Sequence, residues 1–210
     1  MKKLVALLST VLLFGMTGAA SAYTIDYLSI SDGNGGFLTP HSGAQVETFD
    51  AAPVFSWSGN GGIVSGSVPN VTAAPFGQSA PDSTNYVSVP NGSRTATGFT
   101  MSNYLGLWWG SVDSYNTIDF YNGATLVASI TGDDAINPSP ANGNRTAPGT
   151  NLYVNIHDLP HFDSFTLSSS TFAFEADNIA VGVVPEPGTM MLLGAGFLGL
   201  AIYGKRRKNV

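Results

Sequence analysis

Residues 115–130 read YNTIDFYNGATLVASI. Two runs of β-branched and aromatic side chains flank Asn122-Gly123, the dipeptide that marks a tight hairpin turn most strongly. A two-residue loop of Asn122 and Gly123 would set Phe120 against Thr125 and Asp119 against Leu126. That register mixes polar and apolar side chains on both faces. A three-residue loop of Asn122, Gly123 and Ala124 sets Phe120 against Leu126 and Ile118 against Ala128, with Ile130 on the same face. The second register is expected, with Gly123 near the left-handed position of a bulge.

The same period of two runs outward in both directions. In residues 104–112, Leu105, Leu107 and Trp109 share one face, and Tyr104, Gly106, Trp108 and Gly110 the other. Downstream, Leu152, Val154 and Ile156 alternate with Tyr153, Asn155 and His157, and Phe165 and Leu167 mark a further strand. Phe172, Phe174 and Ala176 are in one phase, and Ile179, Val181 and Val183 in the other. The slip at Asp177-Asn178 predicts a β-bulge or tight bend. Earlier strands are expected at 23–30, 45–50, 54–57, 63–68 and 86–89, and Pro/Asn/Gly-rich loops at 69–83 and 137–150. No long stretch has a helical period with caps. The expected fold class is all-β, a single β-sandwich or jelly-roll ectodomain over residues 23–184.

Charge is distributed unevenly. Of the 8 Lys and Arg in the 210-residue chain, six lie near its ends: Lys2, Lys3, Lys205, Arg206, Arg207 and Lys208. Residues 23–184 hold 13 acidic side chains and only Arg94 and Arg145 as bases. Such a segment has no electrostatic footprint for nucleic acid and is repelled by anionic lipid. It attracts divalent cations, or keeps an exported protein soluble. With no cysteine in the chain, thiolate zinc sites, cysteine nucleophiles and disulfide staples are excluded.

The two ends read as address labels. Lys2 and Lys3 precede an apolar run at 4–16, and Ala20-Ser21-Ala22 forms a small-residue cleavage site. Residues 1–22 are therefore expected to be a secretory signal peptide, cut after Ala22 to leave Tyr23 first. Near the other end stand Pro185-Glu186-Pro187, an apolar stretch at 189–203 bearing Gly194, Gly196 and Gly199, and the cluster Lys205, Arg206, Arg207, Lys208. The stretch is shorter than the roughly 20 residues of a relaxed spanning helix. It is expected to form a short transmembrane helix, with its basic tail held cytoplasmic and reaching for the interface.

These three parts, in this order, resemble the PEP-CTERM sorting signal. The resemblance covers residues 185–210. It implies recognition by exosortase, an integral-membrane transpeptidase-like enzyme, an inner-membrane intermediate, and then delivery to the cell surface or extracellular matrix of an exopolysaccharide-producing Gram-negative bacterium. Residues 104–121 and the last strand also resemble ectodomains of other exosortase-dependent surface proteins.

Candidate chemistry is sparse. His157 and His161 have the four-residue spacing of zinc proteases, but Pro160 breaks a helix and no Glu follows His157. His41 has no partner nearby in sequence. No G-x-S-x-G elbow is present, and Asp133-Asp134 sits in a loop where sequence cannot set a second carboxylate at hydrolytic distance. No enzyme is expected, with a glycan hydrolase or lyase as the rival. Tyr153, Asn155 and His157 on one strand face, with Trp108, are the candidate sugar-binding groups. Glu175, Asp177 and Asn178, with Asp26, are the candidate ligands of a calcium ion, since hard oxygens suit that cation. Phe174-Glu175-x-Asp177-Asn178-Ile179 resembles the last strand of jelly-roll carbohydrate-binding modules, some of which carry structural calcium. The expected function is structural or adhesive in an exopolysaccharide matrix, with a carbohydrate-binding module as the alternative.

Overall fold

The computed structural model describes residues 23–136, 141–184, 194–198 and 200. The expected signal peptide with Ala20 and Ala22, and the tail residues Pro185, Glu186, Pro187, Lys205, Arg206, Arg207 and Lys208, lie outside the described residues. Residues 194–198 are helical, and no helix among the described residues is long and apolar enough to cross a membrane.

The strands run in chain order as β1 (Thr24–Asp26), β2 (Ile30–Ser31), β3 (Phe37–Leu38), β4 (Gln45–Glu47), β5 (Ser56–Gly59), β6 (Gly62–Ser65) and β7 (Asn85–Val89). Then come β8 (Gly92–Thr97), β9 (Tyr104–Gly110), β10 (Asn116–Asn122), β11 (Thr125–Thr131), the single turn α1 (Gly132–Ala135), β12 (Leu152–His157), β13 (Ser164–Ser169) and β14 (Phe174–Gly182). One sheet has the order β1-β12-β9-β14-β7-β6, with β4 also paired to β14. The second has the order β11-β10-β13-β8-β5, and β2-β3 is a small separate ribbon. Leu105, Leu107, Trp109, Val154 and Ile156 of the first sheet share one buried cluster with Ile118, Phe120, Ile130, Phe165 and Leu167 of the second. Trp109 stacks on Phe174 within it, ring centroids 4.5 Å apart.

The hairpin has a different register from the one expected. Asn122 pairs with Thr125 across a two-residue turn of Gly123 and Ala124, and a bulge then sets Phe120 opposite Ala128 and Ile118 opposite Ile130. Gly123 takes φ 57°, the left-handed value a tight hairpin turn asks of its first central residue. Both carboxylate oxygens of Asp163 accept its N–H, at 3.0 and 3.1 Å. The extra residue falls at Val127 rather than in the loop, so Ile118, Phe120 and Ile130 stay in the core while Leu126 is left exposed.

Strand β8 has no counterpart in the sequence reading. Its GSRTAT carries one apolar side chain, Ala96, which alone joins the core, so hydrophobic alternation gives no signal. The expected strand at 23–30 divides into β1 and β2. The phase slip in β14 is a bulge. Asp177 faces Trp108 and Ala180 faces Gly106, with Asn178 in the left-handed region at φ 51°.

Every residue of β9 is buried. Its second face is covered as well as its first, because residues 36–41 lie across it. Phe37 meets Trp108 edge-on at 5.6 Å and His41 meets Tyr104 at 4.7 Å. A Cβ on Gly106 would fall on the Tyr104 and Tyr153 hydroxyls, so glycine is what lets those phenols close over the strand.

Candidate functional site

The pleat places Asp26, Trp108, Tyr153, Asn155, His157, Glu175 and Asp177 on one face of the first sheet, opposite the core. All the candidates named from sequence except Asn178 thus share a surface, but loops roof it and divide it into three places.

The first is a polar network. Asn155 donates from Nδ2 to Asp26 Oδ1 at 2.7 Å and to the Leu28 carbonyl at 2.8 Å. Its Oδ1 accepts the Tyr104 hydroxyl at 2.7 Å, and that hydroxyl lies 2.7 Å from Thr39 Oγ1. His157 Nε2 meets Asp26 Oδ2 at 2.9 Å, and Tyr153 donates to the Asn178 carbonyl at 3.0 Å. Burial pushes the Tyr104 and Tyr153 phenols up from their ordinary range. Burial, then the neighbouring His157, pushes His41 down. Tyr153 and Trp108 are 1% exposed and Asn155 is 0% exposed. Instead of an open sugar platform, these side chains form a buried layer between the sheet and residues 36–41, hydrogen-bonded except at the Trp108 indole N–H and His41 Nε2.

The second place is a polar cavity of about 210 Å³ lined by Ser111, Asp113, Tyr115, Arg145 and Glu175, with Phe172 at its edge. Glu175 Oε1 accepts the Ala73 N–H at 2.8 Å, and Oε2 accepts the Ser111 hydroxyl at 2.9 Å. Burial pushes its carboxyl up to about 7, with the two hydrogen bonds and Arg145 opposing and Asp113 adding. The Tyr115 hydroxyl lies 2.6 Å from Asp113 Oδ2 and 2.7 Å from the Phe172 carbonyl. Burial also raises Asp113, against the Tyr115 hydrogen bond and Arg145. Phe172 is 56% exposed, a large apolar ring beside polar groups. Sequence reading passed over Asp113 and Tyr115, two apart in the chain, and Arg145, which lies in a distant loop. The one signal available was that Arg145 is one of two bases in 162 residues of acidic sequence.

The third place surrounds Asp177. Asn178 is turned by the bulge so that its Nδ2 donates to the Phe37 carbonyl at 3.0 Å. Asp177 is 1% exposed and borders a second cavity of about 210 Å³ with Asp32, Asn34, Thr48, Asp50 and Thr84. The four residues grouped from sequence as calcium ligands are therefore spread over all three places. Asp26 belongs to the first place, Glu175 to the second, and Asp177 and Asn178 to the third. Among the described residues no three His, Cys, Asp or Glu side chains stand close enough to hold a metal by themselves.

Asp133 and Asp134 lie at α1. Asp134 closes a capping box with Thr131, and Asp133 Oδ1 accepts the Ala141 N–H at 3.0 Å. Their carboxylates serve backbone geometry.

The sheet passes directly into the tail. Asn103, just before β9, donates from Nδ2 to the Val184 carbonyl at 3.1 Å and accepts the Val184 N–H at 2.9 Å. Its own N–H donates to the Gly182 carbonyl at 3.0 Å.

No curated protein matches the chain. Among solved structures, the K2 cleaved adhesin domain of Lys-gingipain (Kgp) aligns at 14% identity and a TM-score of 0.30, over 67% of this chain and 98% of that one. That likeness is too slight to bear on fold or binding. Residues 183–208 match the family described as PEP-CTERM protein-sorting motif. By that match the chain joins the proteins that carry the PEP-CTERM motif, the signal of exosortase-dependent surface proteins.

Proposed function

We propose that this protein is a non-enzymatic, structural or adhesive component of a bacterial surface or exopolysaccharide matrix, displayed as a two-layer β-sandwich after exosortase acts on its tail. The observation that carries the reading is the junction. Strand β14 ends at Gly182, the sorting motif begins at residue 183, and Asn103 grips Val184 from both sides. A folded domain fastened this close to its sorting signal suits a protein whose cargo is the domain itself. Export, a membrane-held intermediate and surface delivery follow from the motif.

The side chains favour a binding or scaffolding role over catalysis. Glu175, with its carboxyl raised to about 7, is the nearest thing to a general acid. Both its oxygens are engaged by Ala73 and Ser111 and the side chain is 2% exposed, as befits a brace that ties loop 73 to β14.

A carbohydrate-binding role is the second reading. It is favoured by the exposed Phe172 ring beside the hydrogen-bonding groups of the Glu175 cavity, the pairing of apolar face and polar contacts that a sugar offers in return. The test is retention of the purified protein on the producing cell's own exopolysaccharide. Under the second reading, wild type is retained and Phe172→Ala loses about tenfold in affinity, with unchanged thermal unfolding. No retention of wild type leaves the structural reading alone. Release of soluble sugar from the polysaccharide would contradict both and make the protein an enzyme.

A further inference from the structure

Asp177 is held in an unusual electrostatic position. It is 1% exposed on a central strand, and its Oδ1 is buried with no hydrogen-bond partner. An ionised carboxylate in that state is costly, so the group stays protonated unless a cation compensates its charge. The compensation does not come from a base. Arg94 and Arg145 are the only Lys or Arg in residues 23–184. Arg94 lies over Trp57, 5.8 Å from the ring centre, and reaches the carbonyls of residues 59–61, while Arg145 lines the Glu175 cavity. The charged groups that act on Asp177 are Asp82, Asp50 and Asp32, all acidic. Burial first, and then these carboxylates, raise its carboxyl to about 9, opposed by a hydrogen bond from the Asn178 N–H.

The cavity in front of it is lined by several oxygen-bearing side chains, with Leu38 as an apolar wall. Asp32, Asn34, Thr48, Asp50, Thr84 and Asp177 line it, each with a side-chain oxygen. Several of these groups are already fixed in place. Asp32 Oδ1 accepts the N–H of Asn34 at 2.7 Å and of Gly36 at 2.9 Å, and Asp50 Oδ1 accepts the N–H of Asn85 at 2.9 Å. Asp82 Oδ2, beside Thr84, is a second buried carboxylate oxygen without a partner. With no three carboxylates or imidazoles gathered tightly, a cation there would draw on amide, hydroxyl and backbone oxygens as well. That mixed, adaptable set of about six to eight oxygens is what Ca²⁺ accepts, whereas Mg²⁺ demands a small octahedron.

We propose that the cavity between Asp177, Asp32, Asn34, Asp50 and Thr84 is a calcium site, with Asp177 as its buried anchoring ligand. The ion would tie together four segments distant in sequence: the loop at 32–36, the turn at 48–50, the loop at 82–84 and the bulge of β14. In a domain without cysteine it does the work of a disulfide staple, and it forms only where calcium is plentiful, outside the cell. The proposal stands whether or not the domain binds glycan.

The test is thermal unfolding of the purified full-length chain in mild detergent, with EGTA, with millimolar Ca²⁺ and with millimolar Mg²⁺, alongside Tb³⁺ luminescence titration. Calcium should raise the unfolding midpoint by about 5–10 °C over EGTA, as binding to the folded state alone requires when the ion is well above its dissociation constant. Magnesium should give less than half of that shift. Asp177→Asn puts a neutral amide of the same shape where the ion-free site holds a protonated carboxyl, so it should stay close to wild type in EGTA while losing the calcium shift and the Tb³⁺ signal. Asp50→Asn should weaken calcium binding about tenfold or more. Glu175→Gln, two residues away on the same strand but outside this cavity, should keep the full calcium response. Absence of a calcium shift in wild type, or a full shift in Asp177→Asn, would overturn the proposal.

Discussion

Replacing Pro185, Glu186 and Pro187 together with Ala should leave the protein full-length and held in the membrane fraction, with surface material reduced at least tenfold. The physical reason is local. Each proline fixes its own φ, lacks a backbone donor and disfavours helix in the residue before it, so this sequence favours an extended tripeptide over a helical one. An enzyme that cleaves a peptide bond needs such a segment in its cleft. Three alanines, strong helix formers, lift that restriction and are expected to take the preference for an extended segment away. Export is expected to rest on residues 1–22 rather than on these, so the variant should still cross the membrane and accumulate there. Immunoblots of fractionated cells check this. Normal processing of the triple variant would mean that the motif at 183–208 is not read by exosortase.

The second large effect concerns Trp108, which sequence reading placed among candidate sugar-stacking rings. Trp108→Ala should lower unfolding free energy by about 3–5 kcal/mol, the usual cost of emptying an aromatic site in a packed interior. Its ring is 1% exposed and packs edge-on against Phe37, under Gly36, whose added Cβ would strike the indole. The indole N–H has no partner, so the residue contributes through shape and burial rather than through hydrogen bonding. Chemical denaturation followed by tryptophan fluorescence, compared with wild type, gives the difference directly. A variant as stable as wild type but deficient in glycan retention would show that residues 36–41 lift away and that Trp108 meets ligand after all.

That contrast shows where the sequence was readable. Strands with strict alternation and one strongly apolar face, β9, β10 and β12, declare themselves because the period of two is imposed by burial of that face, and β14 does so on either side of its bulge. Strand β8 does not, since its neighbours in the sheet supply the apolar surface and it contributes only Ala96. The hairpin register was misjudged because a bulge at Val127 keeps Ile118 opposite Ile130 while the turn stays two residues long. Nothing in the composition of 125–130 says where the extra residue will fall.

The candidate site was half legible for a related reason. Alternation correctly sends Tyr153, Asn155 and His157 to the face away from the core. It cannot say that Phe37, Thr39 and His41 return from about 100 residues earlier to cover that face. Likewise Glu175 and Asp177 are two apart on one strand, and sequence reads them as one acidic cluster. In the fold Pro75 sits over Gly110 and loop 73 takes Glu175, while the loops at 32–36 and 48–50 take Asp177. Proximity in sequence thus conceals two separate environments. The carboxylates that act on Asp177, namely Asp32, Asp50 and Asp82, come from the loop regions that hydrophobic periodicity describes least.

The claim on which the whole account depends is that the tail is a sorting signal which is acted upon. The most direct measurement is the intact mass and C-terminal peptide of the protein recovered from the cell surface or matrix of a strain with active exosortase. The account predicts a mature chain that ends near Val184 to Gly188 and lacks the apolar stretch 189–203 and the cluster Lys205 to Lys208. Surface protein whose mass extends through Val210 would contradict it, and would make the tail an anchor that nothing cuts.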